Sequence, residues 1–295
     1  MDRRIGDALG GRLMWLVSLF SIALVFIIGV TLVQRSVPIL SSRSLIGLLT
    51  TSAWNPTRGE FGFFPFIMGT FMVTGLTLAL ACPVCLLTAV YLAEYAPRKI
   101  HGIIKPAVDV LAGIPSVIFG LWGVLFVVPL IKVYAATFAG IEITGYSVLA
   151  GAVVLSIMVS PILISISEEV IAAVPLQLRE ASSALGATTW QTTKHVVLRK
   201  ALPGIAAAIV LAFGRAFGET IAVLMVVGNV AQVPVSVLDP AYPIPALIAN
   251  DYGEMLSIPL YESALLLAAL ILVVVISTFN IAARVILAKL EGRAF

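Results

Sequence analysis

The chain has 295 residues, of which 60% are hydrophobic and 11% charged, with a formal net charge of +3. A soluble globular domain carries about 25% charged residues, so this composition excludes one and describes a protein that lives in hydrocarbon. The small positive excess carries no case for nucleic acid, because the way membrane loops are charged already accounts for it.

Hydrocarbon offers the backbone no hydrogen-bond partner, so a run of ~20 apolar residues has to close its own ladder as a helix. Six such runs predict membrane spans over 13–33, 65–92, 107–131, 148–171, 204–227 and 261–288. The expected fold is all-α integral membrane with six transmembrane helices. Arg3 and Arg4 precede the first run as in a secretory leader. The run is longer than the roughly 7–15 residues of a leader's apolar core and has no small-x-small exit, so it reads as a permanent anchor. The second run holds Cys82 and Cys85 with Pro83 between them, all at membrane depth. Redox and zinc sites want exposed thiolates and further ligands, so this pair reads as apolar packing, and neither a metal nor a cofactor is expected.

Loop charges orient the spans. Arg3, Arg4 and Arg12 in the N-terminal tail share a side with Arg98, Lys99 and Lys105 in the second loop. Arg179, Lys194, Arg199 and Lys200 in the fourth loop fall on that side too, with Arg284, Lys289 and Arg293 in the tail. The opposite loops hold only Arg35, Arg43, Arg58 and Lys132. By the positive-inside rule both termini are expected in the cytoplasm. The first outer loop, 34–64, carries Trp54-Asn55-Pro56 and Phe61-Gly62, and the last, 228–260, carries Pro234, Pro240, Pro243, Pro245 and Pro259. Its stretch 244–250 is too apolar for a solvated loop and predicts a short helix or re-entrant turn packed on the bundle.

Within the fifth run, a rise of ~1.5 Å per residue puts Arg215 roughly 18 Å from Pro203 and roughly 21 Å from Asn229, near the middle of the bilayer. An arginine there costs about 2.5 kcal/mol or more. Glu219 is four residues on, on the same helical face, and Asn229 returns to that side after 14 residues. Two readings stand: an ion pair locking helices, or an anion station in a pore. The planar guanidinium suits tetrahedral oxyanions, and a nearby carboxylate keeps the grip loose. Gly214-x-x-x-Gly218 in the same run is the small-residue spacing of close helix packing.

The fourth loop, 172–203, is soluble in character. Composition predicts a short amphipathic helix over 177–185 stopped by Gly186, and a second helix from Trp190 back to the membrane. Such a helix can lie on lipid headgroups or dock a partner protein, and the pattern alone does not choose.

Glu180-Ala181, Gly186 and Val196-x-Leu198 resemble the EAA loop of ABC-importer permeases, with Ser182 where the family has alanine and Arg199 where it has proline. Pro203 matches a second proline of the phosphate subgroup. Trp54-Asn55-Pro56, Phe61-Gly62, Pro65-Phe66-Ile67-x-Gly69-Thr70, Gly113-Ile114-Pro115-Ser116-Val117 and Gly120-Leu121-Trp122-Gly123 are similar to phosphate-transporter permeases. So is the run from Gly214-Arg215-Ala216-Phe217-Gly218-Glu219-Thr220 to Gly228-Asn229, which looks more like the PstC-type subunit than its PstA-type partner.

The resemblance implies a type I ABC-importer permease (MetI-like) bundle, a non-enzymatic subunit of a phosphate importer in the cell inner membrane. It implies an anchor and first loop at 1–64, a permease core at 65–288 and a tail at 289–295. The implied partners are a second homologous permease, two copies of a cytoplasmic ABC ATPase and a periplasmic phosphate-binding protein. Arg215, Glu219, Thr220 and Asn229 would line the substrate pathway, and Glu180, Ala181, Gly186, Leu198 and Pro203 would serve ATPase coupling. The chain has no Gly-x-x-x-x-Gly-Lys-Ser/Thr loop of its own. A permease for sulfate, molybdate or tungstate stands as the alternative within that class. An ion-coupled carrier relaying protons through Glu219 stands outside it, and a membrane enzyme lacks any constellation of catalytic groups.

Overall fold

A computed structural model describes residues 2–140, 142–253, 258 and 260–291. Six helical stretches among them are long and apolar enough to cross a membrane: Gly10–Ser42, Phe64–Tyr95, Ser116–Thr137, Val148–Ala172, Thr189–Phe217 and Tyr261–Val285. The all-α membrane architecture is as expected. Pro259 and Arg293 lie outside the described residues.

The first helix, α1 (Asp2–Ser42), carries on well past the expected end of its span. Its apolar residues face outward along most of its length, and it leans mainly on the last helix, α13 (Tyr261–Glu291). Arg35 reaches Glu262 at 3.4 Å, and the Ile39 N–H donates to Ser263 Oγ at 3.1 Å. After α2 (Leu45–Thr50) comes a two-strand hairpin, β1 (Trp54–Asn55) against β2 (Glu60–Phe61), turned through Gly59 at φ 72°. The Trp54 ring packs on Phe61, Phe63, Phe66 and Tyr261 and fixes this loop to the bundle.

α3 (Phe64–Val90) continues through a wide turn, Tyr91–Tyr95. The third span corrects an expectation. Residues 107–112 belong to a separate amphipathic helix, α4 (Arg98–Ala112), and the membrane helix starts only after the Gly113-Ile114-Pro115 break. Pro115 cannot continue the preceding ladder and biases Ile114 away from helical geometry. The span itself is α5 (Ser116–Trp122), a wide turn and α6 (Val128–Tyr134).

α7 (Val148–Ala172) is the central post. It lies along α3, burying Val73, Ala81 and Cys85 against Val154, Leu155 and Met158. Glycine lets the helices approach: a Cβ on Gly123 would come within 2.6 Å of Val154 and Val226, and one on Gly120 within 2.6 Å of Met225.

Beyond α8 (Leu176–Ala184), helix α9 (Thr189–Thr192) opens with a Thr188–Gln191 capping box and runs through a wide turn into α10 (Leu198–Phe217). The fifth span is thus corrected at both ends. It is helical from Thr189, and it stops at Phe217, after which α11 (Ile221–Val226) begins as a separate short helix packed on α5. The apolar stretch of the last outer loop folds as expected into a short helix, α12 (Ile244–Asp251). It is sunk between α3, α11 and α13, and its first N–H donates to Thr70 Oγ1 at 2.9 Å. Arg284, expected in the tail, stands inside α13. The end of the bundle bearing α4 and α8 is called the basic end below, and the opposite one the hairpin end.

Candidate functional site

The elbow between α10 and α11 replaces the expected continuous helix. At its close the Gly218 N–H still donates to Gly214 O, while the Glu219 N–H donates to Ala216 O in the tightened i→i−3 bond of a terminating turn, both at 3.3 Å. Thr220 Oγ1 donates to Gly218 O at 3.3 Å. Glu219 is half-buried, and its Oε1 accepts from the Ala222 N–H at 3.3 Å, so the carboxylate caps the first turn of α11. It also lines a gap of about 10 Å³ with Thr70, Thr74, Phe217 and Pro243.

Arg215 sits on the last turn of α10 and is exposed. The expectation that it and Glu219 share one helical face does not hold, because the helix breaks between them, and they form no ion pair. Among the described residues the guanidinium has no hydrogen-bond partner; it projects off the bundle on the face of Leu211 and Gly218. Gly214 and Gly218 lie along that same outward face. A Cβ at Gly214 would meet nothing within 4 Å, and one at Gly218 would meet only Gly214 O. Among the described residues, the expected packing of these glycines against a neighbouring helix does not occur.

The helical phase argument for Asn229 also falls, since α11 ends at Val226 and Asn229 occupies a turn at φ 52°. Its Nδ2 donates to Leu224 O at 2.8 Å, and its buried Oδ1 has no partner. The amide thus holds the end of α11 through one N–H and keeps a second N–H and a buried acceptor beyond that bond.

At the basic end, α8 follows the sequence reading closely. It spans nine residues and ends at Gly186, whose φ of +82° a side chain adopts only with strain. A helix this short does not hold by itself in water. Arg179 pins it by donating to Glu94 at 2.7 Å, to Ile171 O at 2.9 Å and to Val174 O, and Ser182 pairs with Thr192 at 2.9 Å. None of its residues is buried. Glu180 and Ala181 are exposed, as are Leu176 and Leu185, the last at 89%. Leu198 is half-buried against Val197 and Ala201, and Pro203 sits half-buried inside α10.

Two polar clusters escaped the sequence reading. One is the Glu94–Arg179 pair itself. In the other, Glu168, buried near the end of α7, accepts from His101 Nε2 at 2.9 Å and from Lys105 Nζ at 2.8 Å. Burial opposes the Lys105 ammonium, but the bond and charge of Glu168 more than offset it, and the pKa lies above the ordinary lysine value. The available signal was the i, i+4 spacing of His101 and Lys105 on an amphipathic stretch, opposite acids ending an apolar run. Glu94→Gln is expected to cost about 1–3 kcal/mol locally by leaving Arg179 with part of its bonds. Limited proteolysis of α8 in the assembled protein measures this. Faster cleavage is the expected outcome; an unchanged rate means that α8 is held by something else.

Residues 85–293 match the family described as the binding-protein-dependent transport system inner membrane component. The probable ABC transporter permease protein YqgH of Bacillus subtilis (strain 168) is 39% identical over 236 residues, covering 79% of this chain and 74% of its own length. The phosphate transport system permease protein PstC of Xylella fastidiosa (strain Temecula1) is 36% identical over 262 residues, 84% of this chain and 80% of that one. Among solved structures, the MetNI methionine ABC transporter in an inward-facing conformation shares the fold with a TM-score of 0.59 at 20% identity, over 77% of this chain and 97% of that one. A bacterial ABC transporter for the import of alginate does so with a TM-score of 0.55 at 16% identity, over 77% and 79%.

Proposed function

The chain belongs to the family of binding-protein-dependent transport system inner membrane components, and within it we propose that this is a permease subunit of an ATP-driven phosphate importer. It is a multi-pass inner-membrane transport component. The observation that carries the phosphate reading is the Arg215 guanidinium, exposed at the elbow of a membrane helix with no partner in its own chain among the described residues. Facing lipid, it would cost about 2.5–3.5 kcal/mol. That penalty disappears if the face of Leu211, Arg215 and Gly218 lines a water-filled path shared with a second, homologous permease. There the five N–H donors of the fork suit a tetrahedral oxyanion. The names of the PstC relatives, which describe phosphate transport, point to the same substrate.

In this reading the basic end is cytoplasmic and both termini lie on that side. The ATPase grips α8 through exposed Leu176, Leu185, Glu180 and Ala181, and Arg179 passes its motion to Glu94 at the end of the second membrane helix. ATP-driven closure opens the bundle toward the hairpin side, a binding protein releases phosphate there, and Arg215 holds it in passing. Glu219 sets the elbow and adds a negative charge that keeps the hold brief. Proteoliposomes containing both permeases and the ATPase test this: accumulation of phosphate that needs ATP and the binding protein is expected. Accumulation without the ATPase would instead identify an ion-coupled carrier.

The orientation has its own test. Arg58 is exposed on the hairpin turn, and Arg58→Cys is expected to react with a membrane-impermeant thiol reagent added to intact spheroplasts. Reaction only after the membrane is opened would invert the topology.

A further inference from the structure

Between α10 and α13 lies a cavity of about 670 Å³, walled by Ala207, Val210 and Leu211 on one side and by Ser277, Asn280, Ile281 and Arg284 on the other. Its size falls within the ~300–1,000 Å³ of small-molecule sites. Ser277, Asn280 and Arg284 follow i, i+3, i+7 spacing, which puts a hydroxyl, an amide and a guanidinium in one row on one face of a membrane helix. Membrane helices ordinarily silence a hydroxyl by bonding it to the carbonyl one turn back, as Thr278 does with Val274 O at 2.7 Å. Ser277 does not do this, and neither Asn280 nor Arg284 has a hydrogen-bond partner among the described residues. Three donor groups therefore line one space, and among the described residues no carboxylate lines it.

The register of the two helices places this cavity relative to Arg215. The rings of Phe213 and Phe279 stack with centroids 3.5 Å apart, which sets those residues level. Arg215 lies two residues from that level toward the hairpin end, and Arg284 five residues from it toward the basic end. At ~1.5 Å per residue the two arginines are separated by about 10 Å along the bundle axis. Leu211, a cavity wall, and Arg215 are neighbours one turn apart on the same face of α10.

We propose that the cavity bounded by Ser277, Asn280 and Arg284 is a second oxyanion station, one step nearer the basic end than Arg215. The inference rests on the reading of Arg215 as the first station and extends it into a two-step path. An anion leaving Arg215 passes Ser277 and Asn280, which replace part of its hydration, and is received by Arg284 at the inner mouth. Two moderate sites about 10 Å apart let an ion leave each one, where a single deep site would trap it.

The test uses the assembled transporter in membrane vesicles, with Asn280→Cys as reporter in a Cys82→Ala, Cys85→Ala background. Its reaction rates with an anionic and a cationic thiosulfonate of equal size are compared. The expected result is about a tenfold preference for the anionic reagent, abolished by Arg284→Gln and kept by Arg284→Lys. Equal rates, or a preference indifferent to Arg284→Gln, would overturn the station and leave Arg284 as a headgroup anchor. Inorganic phosphate and sulfate are then added as protectants. If the charge preference holds and sulfate alone protects, the station stands and the phosphate assignment falls.

Discussion

Arg215→Gln is expected to lower phosphate uptake by about 10- to 150-fold while the transporter assembles to its normal level. The magnitude follows from removing charge-assisted hydrogen bonds worth about 1.5–3 kcal/mol to a passing anion. Assembly is spared because the guanidinium makes no bond to its own chain among the described residues and caps no buried acid. Arg215→Lys keeps the charge without the fork and should fall between the two. Uptake into cells, with the subunit quantified in the same membranes, checks both numbers. Loss of the subunit from the membrane in Arg215→Gln would return the residue to a structural ion pair with a second chain.

The second large effect is expected at Gly186. With φ at +82° and nothing within 4 Å of a would-be Cβ, Gly186→Val meets no neighbour, and its whole effect comes from backbone conformation. The left-handed form costs an ordinary residue about 1–2 kcal/mol, and a β-branched one more. The end of α8 should therefore unwind or re-aim while the membrane bundle stays intact. The expected outcome is ATP hydrolysis that no longer rises with the loaded binding protein, and transport reduced in proportion. Gly186→Asn, which tolerates the left-handed region, should keep most of the coupling. Normal coupling in Gly186→Val would mean that α8 lies on lipid headgroups and transmits nothing.

The six spans could be read from hydropathy because the bilayer enforces one solution on every long apolar run. The short helix α12 was legible for the same reason, an apolar stretch where a solvated loop should be, and Gly186 because a left-handed stop has few substitutes. What hydropathy cannot register is a break inside an apolar stretch. Gly218-Glu219-Thr220 sits between residues apolar enough to continue a helix, and only the tightened turn at the end of α10 and the fresh start of α11 reveal the elbow. That single miss displaced the site: it removed Glu219 from the face of Arg215 and carried Asn229 off the helix into a turn. The same blindness merged α4 with the third span, although Pro115 marked the boundary. Pairs such as Glu94–Arg179 and Glu168–Lys105 join segments far apart in sequence, and periodicity within one element carries no information about them.

The most direct test of phosphate import is labelled-phosphate uptake in phosphate-starved cells that lack this chain, with and without the native gene restored. Uptake that disappears with the chain, returns with it and leaves sulfate uptake untouched is the predicted result. Phosphate uptake indifferent to the chain, or a defect in sulfate or molybdate uptake instead, would contradict it.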